Sequence, residues 1–183
     1  AIAAARQLQI PYLRFERPPL FATATGAGSR IITLDSVASL LAGEYLQGQR
    51  VLLTVGYKPL GLFATWHTQA TLFARILPSG IALEAALAAG FSPERLVALR
   101  PPVPVDLERA LWQHWQITTV VTKASGQPGG EDIKRAVATE LGIPLIVIAR
   151  PSLSYPRQTS DLAIALAFCR QHALEGSSSS EFS

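Results

Sequence analysis

Apolar positions along the chain follow two rhythms. Short runs rich in branched and aromatic residues stand at 12–15, 30–34, 50–55, 71–76, 96–99, 117–122 and 144–149. Between them lie longer stretches whose apolar residues recur every three or four positions. The runs RVLLTV (50–55) and ITTVVT (117–122) are almost unbroken, as in parallel strands covered on both faces. Val37, Leu40, Leu41 and Tyr45 predict a helix through 47, capped by Asp35 or Ser36. Pro59 opens a short helix through 66, and 81–89 is an alanine-rich helix stopped by Gly90. Residues 105–115 predict a helix with Asp106 and Glu108 in its first turn. Residues 131–141 predict another, closed by Gly142. Ser160 caps a last helix to about 172, whose apolar run takes Cys169 into the core. Strands alternating with helices predict an α/β fold with a largely parallel sheet.

One internal echo changes the domain picture. LQIPYLRFERP (8–18) resembles LGIPLIVIARP (141–151): helix end, Ile-Pro, strand, Arg-Pro. Two Rossmann-like lobes would each end a crossover in this way. Residues 1–28 are then expected to be the end of a first lobe and a linker, 29–174 a second lobe, and 175–183 a polar tail. No methionine occurs, even at position 1, and most of the first lobe is expected to precede Ala1.

Composition narrows the classes. The 183 residues are 49% hydrophobic and only 16% charged, against about 25% charged in an average domain. Disorder over most of the chain is excluded. The longest uncharged stretch, 59–74, has 16 residues and includes Gly61, Trp66, His67 and Gln69, short of the roughly 20 apolar residues of a membrane span. The net charge of +3 comes from 13 arginines and 3 lysines with no basic run, so nucleic acid is not an expected partner. One cysteine allows no internal disulfide, nothing points to an oxidising compartment, and a cytoplasmic setting is expected.

Candidate chemistry lies in three loops beyond strand ends, where open α/β sheets bind ligands. Thr54-Val55-Gly56-Tyr57-Lys58 offers a tight turn, free helix amides and a point charge; it reads equally as an ordinary strand-to-helix turn. Thr122-Lys123-Ala124-Ser125-Gly126, running on through Gly130, has the makings of an anion cradle with hydroxyls. It is neither GxxxxGK[ST] nor GxGxxG. Arg100-Pro101-Pro102 places an arginine on a stiff connector. His67, His114 and His172 lack HExxH spacing, GxSxG is absent, and the four aspartates form no paired motif. Metal, serine-nucleophile and glycosidase chemistry are unsupported. Hydride transfer, in which a protein mainly positions two bound molecules, fits best.

The ordered words IPYLRFERP (10–18), RVLLTVGYKPL (50–60), ARILP (74–78), GFSPERLVALRPP (90–102) and ITTVVTKASGQPGGEDIKRAVATELGIPLIVIARP (117–151) resemble the precorrin-6A reductase family of cobalamin biosynthesis. The resemblance implies an NADPH-dependent reductase with two Rossmann-like lobes, acting on a ring double bond of precorrin-6A or its cobalt form. It implies cofactor contacts at Thr54, Gly56, Lys58, Thr122, Lys123, Ser125 and Gly126. For the polycarboxylate tetrapyrrole it implies arginines near strand ends: Arg17, Arg75, Arg100 and Arg150, with Arg14 beside them. No side chain is singled out as catalytic, and solvent could supply the proton. Two departures stand out: Pro19 where the family usually has Trp, and Arg100-Pro101-Pro102-Val103 where it has Gly-Pro-Phe-Ser. The alternatives are a two-lobe tetrapyrrole protein of the uroporphyrinogen synthase type and a non-catalytic nucleotide-binding α/β domain.

Overall fold

The structure is a computed structural model and describes residues 2–16, 30–151 and 153–177. It divides into two compact units, Pro19–Pro151 and the combined termini Ala1–Pro18 with Ser152–Ser183.

The larger unit is a six-stranded, all-parallel sheet. In chain order its strands are β2 (Ile31–Leu34), β3 (Arg50–Thr54), β4 (Thr71–Ile76), β5 (Leu96–Ala98), β6 (Thr119–Lys123) and β7 (Leu145–Ile148), with β1 lying in the other unit. Their spatial order is β2-β7-β6-β3-β4-β5. The period of two is visible in β3. Val51 and Leu53 pack into one core with Leu40, Phe63, Ala82 and Ala86. Leu52 packs into the other with Phe73, Trp112, Val120 and Val137. Both faces are therefore dry, and a near-continuous apolar run is what such a strand requires. One face is covered by α2 (Val37–Ala42), a 3-10 helix (Leu60–Thr68) and α3 (Gly80–Ala88). The other is covered by α4 (Val105–His114) and α5 (Glu131–Leu141). Arg109 on α4 clamps α5 with a two-pronged bond to Glu140, at 2.6 and 2.9 Å.

Several local expectations meet their geometry. Ser36 caps α2 by accepting from the Ser39 amide at 3.0 Å, and Gly142 closes α5 with φ +66°. The helix expected through 47 stops at Ala42, because Gly43 turns extended and the Tyr45 ring lies against it. A Cβ at Gly43 would stand 2.5 Å from that ring. The helix expected after Pro59 is 3-10.

The smaller unit contains α1 (Ile2–Gln7), β1 (Arg14–Phe15), β8 (Gln158–Thr159) and α6 (Leu162–Ser177). β1 and β8 pair in parallel, Arg14 opposite Gln158. The expected boundary therefore shifts: residues beyond Pro151 join the N-terminal segment rather than the lobe of 29–174. The reason is β8, too short to carry a hydrophobic rhythm. Asp161, not Ser160, receives the first helical amides of α6, with its Oδ1 2.7 Å from the Ala163 nitrogen. α6 continues through Ser177, into the tail expected from 175. Cys169 on α6 is exposed, not core.

Candidate functional site

The chain order of the large sheet reverses between β3 and β6. From β3 the chain moves outward to β4 and β5, and from β6 it moves the other way to β7. Ligands of open parallel sheets bind at such a switch point, beyond the carboxyl ends of the strands. The register pairs Thr54 with Thr122, so the Thr54–Lys58 and Thr122–Gly130 loops leave the sheet side by side. A groove of about 490 Å³ opens elsewhere, at the strands' amino ends, between Arg30, Gln49, Thr118 and Pro144. It is remote from the switch point.

The expected cofactor residues take different roles. Gly56 has φ +77° and a Cβ there would meet nothing within 4 Å. The turn needs glycine's backbone freedom, and space above it is open. Lys58 and Lys123 are both exposed. Partial burial pushes the Lys123 pKa down, and the nearby Lys58 charge pushes it further. Among the described residues no carboxylate forms an ion pair with either ammonium. Two like charges left together without a counter-ion make a place where an anion is stabilised.

The threonine hydroxyls are committed elsewhere. Thr54 Oγ1 donates to the Val121 carbonyl at 3.1 Å, tying β3 to β6. Thr122 is 1% exposed, and its hydroxyl donates to the Lys123 carbonyl at 3.4 Å. Ser125 packs against Gly129, where a Cβ would stand 2.1 Å from its Oγ. Gly126 is buried with φ +67°, and its amide donates to Glu131 Oε2 at 2.9 Å. The expected cradle is thus partly filled by the chain's own carboxylate. What the loops present outward is Lys58, Lys123 and the open side of Gly56.

The arginines also divide. Arg75 is buried in an ion pair with Glu108, so it serves the fold and is not offered to a substrate carboxylate. Arg150 is half-buried and donates from Nε to the Ala124 carbonyl at 2.7 Å. It steadies the base of the second loop. Arg100 is exposed. Arg14 pairs with Glu16 at 3.0 Å. Arg17 lies outside the described residues.

Sequence reasoning missed the buried polar residues under the second loop: Glu108, Glu131 and Lys134, at 1%, 3% and 2% exposure. A signal was present. Glu108-Leu111-Trp112-Trp115 and Lys134-Val137-Ala138-Leu141 are inward helical stripes that each begin with a charge. Among the described residues no three metal-ligating side chains cluster, and no helix is long and apolar enough to cross a membrane.

An all-parallel, doubly covered sheet, with two lysine-bearing loops side by side at its switch point, defines a Rossmann-like α/β domain. The family model described as precorrin-6x reductase CbiJ/CobK matches residues 1–170, and the chain belongs to that family. It is 50% identical over 173 residues to the cobalt-precorrin-6A reductase of Synechocystis sp., covering 93% of this chain and 64% of the relative. The cobalt-precorrin-6A reductase of Priestia megaterium is 32% identical over 158 residues, covering 85% and 60%. The solved CobK precorrin-6A reductase aligns with a TM-score of 0.75 at 27% identity, covering 93% and 66%. The chain thus spans somewhat under two thirds of the length of these relatives.

Proposed function

We propose that the protein is an NADPH-dependent reductase of a ring double bond in precorrin-6A or its cobalt form. The observation carrying this reading is the convergence of Lys58 and Lys123 at the switch point, where among the described residues no carboxylate forms an ion pair with either. Family membership supplies the reaction class. The residues suit a nicotinamide dinucleotide. Lys58 and Lys123 would hold its phosphates, and Gly56 leaves room for close approach to the backbone. When bound, the cofactor supplies a hydride. Among the described residues Arg100 is an exposed arginine that would meet a carboxylate of the macrocycle, while Arg150 holds the second loop through Ala124. The unpaired Cys169 suits a cytoplasmic setting.

A fluorescence titration of NADPH, with NADH as control, tests the reading on the intact protein. Saturable binding that prefers NADPH is expected. Lys123→Ala should weaken it by roughly ten- to a hundredfold, the worth of a charge-assisted contact. Unchanged affinity and turnover in that variant would remove Lys123 from the site. Affinity should also fall as pH rises through the lowered Lys123 pKa, because the neutral amine no longer attracts phosphate.

Gly56→Ala separates fold from site. Its Cβ would clash with nothing in the chain, so the strained φ alone should cost about 1–2 kcal/mol of stability. Loss of NADPH affinity well beyond that cost would place the ligand in the open space above Gly56. Wild-type affinity would leave the space outside the site.

A further inference from the structure

The second loop is gripped from below by the start of α5. Lys134 Nζ donates to the Gly129 carbonyl at 2.9 Å and the Gly130 carbonyl at 3.0 Å. Glu131 Oε2 accepts the Gly126 amide, while its Oε1 is held by Arg135 at 3.0 and 2.8 Å. Three backbone groups of a five-residue stretch are thereby fixed by two side chains one helical turn apart. Gly126 and Gly130 both have φ +67°, so the stretch adopts a shape it would not hold by local preference.

Beneath lies a buried charge cluster. Arg75 from β4 pairs with Glu108 from α4, and Trp112 Nε1 donates to Glu108 Oε1 at 3.1 Å. The groups facing Lys134 are Arg75, Glu108, Glu131 and Asp132. Asp132 Oδ1 is buried without a hydrogen-bond partner. With Arg135, three cations balance three anions. Burial first and the Arg75 charge second push the Lys134 pKa down, Glu108, Glu131 and Asp132 pull against them, and the balance lies at about 8. An apolar side chain of similar volume would fill this space without desolvating a charge. What it could not do is donate to two carbonyls of the loop.

We propose that Lys134 is a positioning residue for the candidate cofactor site, its ammonium presetting the Gly126–Gly130 backbone in the shape that receives an anionic ligand beside Lys58 and Lys123. The ligand half of this proposal rests on the cofactor reading above; the loop half does not.

The test uses the intact protein from about pH 7 to about pH 9.5, the range spanning a lysine held near 8. Two readouts are taken: hydrogen-exchange protection of the 126–131 amides without ligand, and the NADPH Kd. In the wild type, loop protection should fall as pH passes about 8, with the β3 and β6 amides unchanged. Lys134→Met should lose roughly tenfold or more of loop protection at pH 7 and show no pH step. Its NADPH Kd should rise about tenfold, while Lys123→Ala weakens binding yet keeps normal loop protection. Wild-type loop protection in Lys134→Met overturns the proposal, and so does lost protection with wild-type NADPH affinity. If Lys134→Met does not fold, Lys134→Gln decides, because its shorter amide cannot reach both carbonyls: lost loop protection in the folded variant supports the proposal, wild-type protection overturns it. If the wild type binds no NADPH, the cofactor reading fails, and the loop assignment is judged by protection alone.

Discussion

Glu108→Ala should lose about 3–5 kcal/mol of stability, the cost of leaving one member of a buried ion pair uncompensated. Glu108 is 1% exposed and Arg75 7%. Removing the carboxylate leaves the Arg75 guanidinium without its counter-ion in a nearly dry site. It also strips the Trp112 indole N–H of its acceptor, and Trp112 is fully buried in the core between the sheet and α4 and α5. Urea unfolding at neutral pH gives the number directly. Glu108→Gln retains an oxygen for Trp112 and nearly the same volume, so it should fall between wild type and Glu108→Ala. The double variant Arg75→Met with Glu108→Leu removes both charges and should recover most of the loss. A Glu108→Ala protein within about 1 kcal/mol of wild type would mean that water reaches Arg75 in solution and that the pair does not hold the fold together.

The same residues show what a sequence discloses and what it withholds. RVLLTV and ITTVVT announce strands covered on both faces because every position, in either direction, must meet an apolar neighbour; Leu52 does so on one side and Val51 and Leu53 on the other. Lys58 and Lys123 were legible because each stands at or just past the end of a strand-like run. That they meet depends on β3 pairing with β6, a long-range choice that no local pattern states. The edge position of β2, beside β7, was equally unwritten. β8 escaped because two residues carry no rhythm, and its pairing with β1 moved the domain boundary. Gly126 was legible as a turn residue. Its amide's partner was not, since Glu131 reads as an ordinary first-turn acid. The pairing of Arg75 is hidden for a related reason: a charge near a strand end looks available until the helix opposite is known to carry Glu108. The corrective clue was the charge heading each apolar helical stripe, a local conflict of the kind that marks functional or strained positions.

Lys134 gives that conflict a measurable cost. An unfolded lysine titrates near 10.4, whereas Lys134 in the fold is held down to about 8 by burial and by Arg75, against the opposing pull of Glu108, Glu131 and Asp132. Below about pH 8 both states carry the proton, and the folded state bears the full penalty of a desolvated ammonium. Between about 8 and about 10.4 the unfolded chain binds more protons than the native one, so the free energy of unfolding must rise with pH. The gain should approach about 3 kcal/mol once pH exceeds both values. Lys123, also lowered, acts with the same sign. Urea midpoints of wild type and Lys134→Met measured at steps across this window isolate the effect, because every other titrating group is common to both. The wild type should grow more stable with pH, and the variant should lose most of that slope. Equal slopes would show that the ammonium is not desolvated in solution. The expected result has a direct functional meaning. At neutral pH the protein gives up stability to keep a charge beneath its loop, and above pH 8 it regains that stability as the hold on Gly129 and Gly130 weakens. Global stability and loop protection should therefore move in opposite directions over one pH interval, which loss of packing alone would not produce.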